Sequence, residues 1–152
     1  MSNIATRSAI PAMDLSAIGK VRALEDAILA MPQSPIDTHH VLHAGQYART
    51  ILIPAGVVLT GALIRIATTL IVSGDCTVYL GDDAIRVTGY NVLAASAGRK
   101  QAFIAHADTY LTMTFATDAQ TIEQAEDEFT SESHRLMSRS GDGRNSYLIT
   151  GE

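Results

Sequence analysis

The chain has 152 residues, 47% of them hydrophobic and 18% charged, with a formal net charge of −5. That length and apolar content fit one domain with a single core, and eleven scattered basic residues on an acidic chain leave no electrostatic footprint for nucleic acid. No run of about twenty apolar residues could span a bilayer, and the first residues lack the basic segment and apolar run of a secretion signal, so neither a membrane nor an extracellular location is expected.

Residues 1–13 are polar, carry Pro11 and show no period, which predicts a flexible arm. From Asp14 the pattern becomes helical. Leu15, Ile18, Val21, Leu24 and Ile28 recur every three or four positions and predict one apolar stripe on a helix over residues 14–31, capped by Asp14 or Ser16. Pro32 and Pro35 stop it, since each removes a backbone donor and forces extended geometry on the residue before it.

Residues 36–117 have a period of two. Ile51 and Ile53 share a face, and Pro54-Ala55-Gly56 is a turn. Residues 57–66 are β-branched or small throughout, as in a strand buried on both faces. Ser73-Gly74-Asp75 predicts a tight turn, and Cys76, Val78 and Leu80 then alternate with Thr77 and Tyr79 up to a second turn at Gly81-Asp82-Asp83. Ile85 and Val87 form another strand that Gly89-Tyr90-Asn91 is expected to end, and Leu111, Met113 and Phe115 alternate with Tyr110, Thr112 and Thr114. Cys76, the only cysteine, excludes an internal disulfide and reads as a small core residue. Six or more short strands with turns about every ten residues indicate a mainly β protein, an antiparallel sandwich or jelly roll. Thr121, Ile122, Ala125, Phe129 and Leu136 predict a C-terminal helix over 118–139, with Glu123, Glu126, Asp127, Glu128 and Glu132 on its solvated face and Arg135 and Arg139 at its basic end. Residues 140–152 are left as a tail.

Six short motifs stand in order along the chain: Thr38-His39-His40-Val41-Leu42-His43, Gly45-Gln46-Tyr47-Ala48-Arg49, Ile53-Pro54-Ala55-Gly56, Leu59-Thr60-Gly61, Ile71-Val72-Ser73-Gly74 and Ala97-Gly98-Arg99-Lys100. On these motifs the chain, from about residue 24 to residue 128, resembles small cupin proteins common in bacteriophages and prophages. The resemblance implies a single cupin-like jelly-roll barrel flanked by the two helices. Metal-binding members of that group carry histidines and a carboxylate between the Thr-Gly and Ser-Gly pairs; the matching positions here are Ala62, Ile64, Ala67 and Thr68, none of which offers a metal donor. No cofactor is therefore expected.

Two constellations outside those positions could carry chemistry. Tyr47, Arg49, Arg65, Arg99 and Lys100 would suit a carboxylate or phosphate at the barrel mouth through charge-assisted hydrogen bonds, with Tyr110, Thr112 and Thr114 as neutral donors. The competing reading pairs Arg49 and Arg99 with Asp75, Asp82 or Asp108. His39 and His43, on one strand face, could supply two imidazoles of a metal site, with His106 or Asp108 as the third ligand; the alternative is a polar strand edge or subunit contact. His134 falls on the polar helix face. Ser96 lacks a nucleophile elbow, Cys76 lies in a strand pattern, and Asp82 and Asp83 diverge in a turn, so no catalytic residue is assigned. The expectation is a non-catalytic, phage-encoded structural or interaction protein of the host cytoplasm, acting as a homo-oligomer, with other virion proteins as further candidate partners. A protein that binds a small anion (a nucleotide or carboxylate) and a metal enzyme using His39, His43 and His106 are the alternatives.

Overall fold

A computed structural model describes residues 9–141 and 143–152. The chain is mainly β and forms a jelly roll. Its elements in order are β1 (Ala9–Ile10), α1 (Leu15–Leu29), β2 (Asp37–His43), β3 (Gln46–Ile53), β4 (Val58–Thr60), β5 (Thr68–Tyr79), β6 (Ala84–Ala95), β7 (Ala102–Ala105), β8 (Thr109–Ala116), α2 (Ile122–Phe129) and β9 (Arg144–Ile149). The ladder runs β1-β6-β5-β8-β3-β2-β9, and a branch β5-β7-β4 leaves it through β5. Among the described residues no helix is long and apolar enough to cross a membrane.

The branch arises because β5 belongs to both layers. Thr69 to Ser73 pair with β8, whereas Cys76 to Tyr79 pair with β7, and β6 follows β5 along its whole length. Gly74 stands at the changeover with φ +148°, opposite Gly89 with φ +77°. The predicted turn at residues 73–75 and the predicted strand end at residues 89–91 are thus one feature. A tight turn would have reversed the chain; two facing glycines instead bend a continuous hairpin from one layer to the other. β2 and β3 are joined by Ala44-Gly45, both at positive φ, the geometry that lets a two-residue turn match strand twist.

Alternation along the strands fills the space between the layers. Leu70 and Val72 of β5, Leu111, Met113 and Phe115 of β8 and Tyr47 and Ile53 of β3 are buried together, joined by Cys76, Val78, Val87 and Phe103. Cys76 is fully buried, and that burial pushes its thiol up to about 11, so it is an inert packing group.

Four expectations change. The continuous strand expected over 57–66 shrinks to β4, three residues long, and residues 61–67 meet the sheet only through a bridge between Ile64 and Arg99. Residues 1–8 of the expected arm lie outside the described residues, but Ala9 and Ile10 pair in parallel with Ala94 and Ala95 of β6, and Ile10 is fully buried. The C-terminal helix ends at Phe129, because Thr130 is extended and its Oγ1 accepts from the Glu132 amide, a local hydrogen bond that competes with helix; two short 3-10 turns, Ser133–Arg135 and Met137–Arg139, follow. The tail is β9, paired in parallel with β2 from Asp37–Arg144 to Leu42–Ile149.

α1 docks on the barrel beside the β5–β6 turn, with Asp14 accepting from the Ala17 amide as its N-cap at 2.8 Å. Ile18 and Val21 are buried as the stripe predicts, but Leu15 and Leu24 are exposed. Arg22 and Glu25 turn toward the barrel to meet Glu132 and Lys100.

Candidate functional site

The site is the space inside the barrel. Its volume is about 180 Å³. One wall is the inner face of β3, β5 and β8, bearing Arg49, Ile51, Leu70, Leu111 and Met113. Facing it are residues 59–64 and 99–103, including Ala62, Ile64, Arg99, Lys100, Gln101 and Phe103. The segment after β8 closes one side with Phe129, Glu132, Arg135, Leu136 and Met137, and α1 contributes Glu25. The strand period dictates the inner set: Arg49 and Ile51 alternate with outward Ala48 and Thr50, and Leu111 and Met113 with Tyr110 and Thr112. Tyr110, Thr112 and Thr114 therefore face away from the cavity and donate nothing to it.

The charged side chains fall into three groups. In the first, the carboxylate of Glu126, only 2% exposed, accepts from Arg49 Nη1 at 2.7 Å, Ser138 Oγ at 2.6 Å and Arg139 Nε at 2.9 Å. Burial by itself would raise this carboxyl; the hydrogen bonds from Ser138 and Arg139 and the charge of Arg49 outweigh it and hold Glu126 below the ordinary carboxylate value. Arg49 also sits over the Phe129 ring, 5.5 Å from its centroid. In the second group, Lys100 Nζ donates to Glu25 at 3.0 Å and to the Gly61 carbonyl at 2.8 Å, Arg22 pairs with Glu132 at 2.8 Å, and Arg135 with Glu25 at 3.3 Å. Burial opposes the charge on Glu132, but donation from Arg22 and the Leu63 amide and the nearness of Lys100 prevail and bring it down to about 2.

The third group is Arg99 alone. It is 1% exposed and has no carboxylate partner among the described residues. Its Nη1 donates to the Ser96 carbonyl at 2.8 Å and the Ile66 carbonyl at 3.4 Å, its Nη2 donates to Thr68 Oγ1 at 2.7 Å and approaches Met113 Sδ at 3.8 Å, and its Nε has no acceptor. Burial pulls its pKa down to about 10, which still leaves it charged at neutral pH.

Of the five residues expected at the barrel mouth, Arg49, Arg99 and Lys100 share this cavity. Tyr47 is fully buried next to Arg49, and burial raises its hydroxyl to about 12. Arg65 is exposed and donates to the main-chain carbonyls of Asp127 and Glu128 at the end of α2. The expected aspartate partners are engaged elsewhere: Asp75 holds Arg86, Asp82 pairs with Lys20, and Asp108 accepts from the Ala55 amide. Glu25, Glu126 and Glu132 take their place. Glu126 and Glu132 looked like the solvated face of the C-terminal helix, and only the packing of that segment against β3 and residue 100 turns them inward.

The three histidines suggested for a metal do not meet. His39 and His43 on β2 bond Ser146 Oγ and Thr150 Oγ1 beside β9, each at 2.7 Å, while His106 bonds Thr77 Oγ1 of β5 at 2.7 Å, on the far side of β3 and β8. Among the described residues no three His, Cys, Asp or Glu gather as a cation site. The barrel interior does not fit a divalent ion either. Its one imidazole, His40, has both nitrogens engaged, and the uncompensated Arg99 beside Thr68 would repel a cation.

His40 is the histidine that sequence reasoning undervalued. It is fully buried, with Nδ1 2.7 Å from the Tyr47 hydroxyl and Nε2 2.7 Å from Asn145 Oδ1, so Nε2 carries the hydrogen and Nδ1 accepts from Tyr47. The string continues from Tyr47 to Arg49 at 3.3 Å and then to Glu126. Burial lowers the His40 pKa from 6.5, against the raising effect of Asn145. The unfolded chain therefore takes up the proton first as pH falls. Stability contributed by neutral His40 is full above about pH 6.5 and is lost toward its lower folded value. Glu126 and Glu132, held below 4.5, add their losses only under that value, with the Glu132 loss extending to about pH 2. The melting temperature should thus begin to fall between about pH 6.5 and 5, and His40→Gln should erase this first step while keeping the acid step. A wild-type melting temperature flat from pH 7 to 5 would contradict the assignment.

No family model matches the chain, and no curated protein does. Solved structures similar to it include an ectoine synthase from P. lautus at 15% identity, over 65% of this chain and 76% of that one, with a TM-score of 0.48. KdgF from Halomonas sp. is 17% identical over 59% and 86% with a TM-score of 0.47, and a cupin superfamily protein from Desulfitobacterium hafniense DCB-2 is 12% identical over 58% and 83% with a TM-score of 0.45. At these identities and TM-scores the likenesses carry no functional weight.

Proposed function

We propose that the protein binds a small organic anion inside its barrel. The observation that carries this reading is Arg99, a guanidinium buried against an apolar cavity with no carboxylate to neutralise it. Burying a lone charge costs several kcal/mol, and every other cation that lines the cavity already has a carboxylate. An anion entering the cavity would relieve that cost, which gives the site both affinity and a sign preference. Arg49 and Lys100 serve the same end indirectly, since their pairs with Glu126 and Glu25 hold the closing segment and α1 against the barrel. The role is binding, and no group in the cavity is placed as a nucleophile or general base.

Calorimetric titration of the whole chain with a panel of sodium carboxylates and inorganic phosphate tests this reading. At least one anion should bind the wild type, and Arg99→Met should weaken it about 100-fold or more, the loss of a charge-assisted pair in a buried site. Failure of every anion to bind, or equal binding by Arg99→Met, would overturn the proposal.

A second reading, self-association, rests on the outer face of the large layer. From β6 to β3 its residues are Tyr90, Val92, Ala94, Thr69, Ile71, Ser73, Tyr110, Thr112, Thr114, Ala48, Thr50 and Leu52, all uncharged, with Tyr90 70% exposed. Its rim carries the ion pair Asp37–Arg144 at 2.6 Å, with both signs available to a copy related by a twofold axis. We propose a homodimer through this face. Tyr90→Lys with Tyr110→Glu should leave the melting temperature unchanged and convert a dimer to a monomer by light scattering; a wild type that is monomeric at 100 μM would end this reading. Nothing in the fold supports the expected phage or virion association.

A further inference from the structure

The class of anion follows from a second feature of the same cavity, on the premise that an anion binds there at all. Gln101 is 5% exposed, lines the cavity and, like Arg99, carries a donor without an acceptor: its Nε2. Among the buried side-chain nitrogens and oxygens of the described residues, Arg99 Nε and Gln101 Nε2 are the two that lack a partner. They belong to residues two apart in the segment that forms one wall of the cavity, and both residues line it. Neither nitrogen is open to the cavity in the free protein, so both side chains must turn toward the ligand when it binds. Leaving a buried donor unsatisfied costs about 1–3 kcal/mol each, and a single planar group with two acceptor oxygens would satisfy both.

Charge and size narrow the ligand further. Of the four cations that line the cavity, Arg49 is matched by Glu126, Arg135 by Glu25 and Lys100 by Glu132 at 3.7 Å, so Arg99 supplies one unmatched positive charge. A monoanion balances it; a phosphate monoester would bring a second charge with no cation to meet it. Most of the remaining lining is apolar, with Ile36, Ile51, Leu70, Leu111, Phe103 and Phe129 around the space and Thr38 and Thr60 as its hydroxyls. The cavity volume of about 180 Å³ equals roughly six waters at about 30 Å³ each, and lies below the range of about 300–1,000 Å³ that holds drug-sized ligands. A nucleotide does not fit such a space.

We propose that the ligand is a small monocarboxylate with an apolar body, its two oxygens accepting from Arg99 Nε and Gln101 Nε2 and its hydrocarbon part lying among Ile51, Leu70, Leu111 and Phe129. Arg99 supplies the charge, Gln101 sets the orientation, and the apolar wall selects against hydrophilic acids.

Calorimetric titrations of the full chain with sodium hexanoate, sodium benzoate, 1-hexanol, inorganic phosphate and AMP test the assignment. Hexanoate or benzoate should bind, 1-hexanol at least tenfold more weakly, and phosphate and AMP not measurably. Gln101→Leu should weaken the carboxylate about tenfold with an unchanged or raised melting temperature, because the amide nitrogen it removes has no partner in the free protein; Arg99→Met should weaken it about 100-fold. If phosphate or AMP binds more tightly than either carboxylate, anion binding stands and the monocarboxylate class falls. If no anion binds, both fall. Unchanged carboxylate affinity in Gln101→Leu overturns the two-donor geometry.

Discussion

Glu126→Ala should cost about 4 kcal/mol of folding stability, a large share of the roughly 5–15 kcal/mol that holds a domain of this size together. The carboxylate is the common acceptor for Arg49 and for the neighbours Ser138 and Arg139, from two separate parts of the chain, and it is almost wholly buried. Its removal leaves Arg49 with only the Tyr47 and Ser138 hydroxyls, in a place too dry to hydrate a guanidinium. Arg139 retains Asp127 at 3.0 Å and suffers less. The loss is therefore one of an orphaned cation more than of a missing attraction, and that distinction is testable. Arg49→Met alone should be destabilising but less so, since Glu126 then keeps Arg139 at 2.9 Å. The double variant Arg49→Met with Glu126→Leu, which removes both charges and keeps their volume, should regain most of the stability, so that the double-mutant cycle gives a coupling of about 2–3 kcal/mol. Urea denaturation of the wild type, Arg49→Met, Glu126→Leu and the double variant measures it. Additive losses in the double variant would show that the pair acts through packing alone.

The second large effect is expected at Gly74→Ala. A Cβ there would lie 2.6 Å from Thr109 Oγ1, 2.7 Å from the Asp108 carbonyl oxygen and 2.8 Å from Thr109 Cα, and the backbone φ of +148° already disfavours any side chain. Two of the three atoms are backbone, and the third is no freer, because the Thr109 hydroxyl accepts from the Asp75 amide at 3.1 Å and donates within the same turn. The clash cannot be relieved by a rotamer change. A loss of about 3 kcal/mol is expected. It should be much larger than that of Gly89→Ala on the facing strand, where an added Cβ meets nothing within 4 Å. Equal losses at the two positions would mean that backbone conformation, and not the close approach of residues 108–109, fixes the bend.

The same two sites show what can be read from a linear chain. At residues 73–75 a glycine between polar residues signals a break in a strand, and a break is there; whether the chain reverses or continues at a new angle depends on which strands lie alongside, and β7 and β8 come thirty residues later. Leu111, Met113 and Phe115, or Cys76 and Val78, were legible as core because alternation against water needs no knowledge of the partner. Residues 126 and 132 were misread for the converse reason. A glutamate on a polar helix face is solvated in isolation, and becomes a buried ion-pair partner only when Arg49 or Arg22 is brought to it from 77 or 110 residues away. The C-terminal strand was missed since five of the six residues of β9 are exposed and only Asn145 is half-buried, so it lacks the apolar rhythm that marks an inner strand.

Sequence alone determined the mainly β class, the α1 stop at two prolines, the inner faces of β5 and β8, and a set of basic residues suited to an anion. These depend on local periodicity and on the chemistry of single side chains. The tertiary structure decided which of those basic residues remain unmatched. Arg49, Lys100 and Arg99 look alike in the chain; the first two meet carboxylates carried by distant helices and Arg99 meets none, because pairing of buried charges is settled by long-range packing that no local pattern encodes.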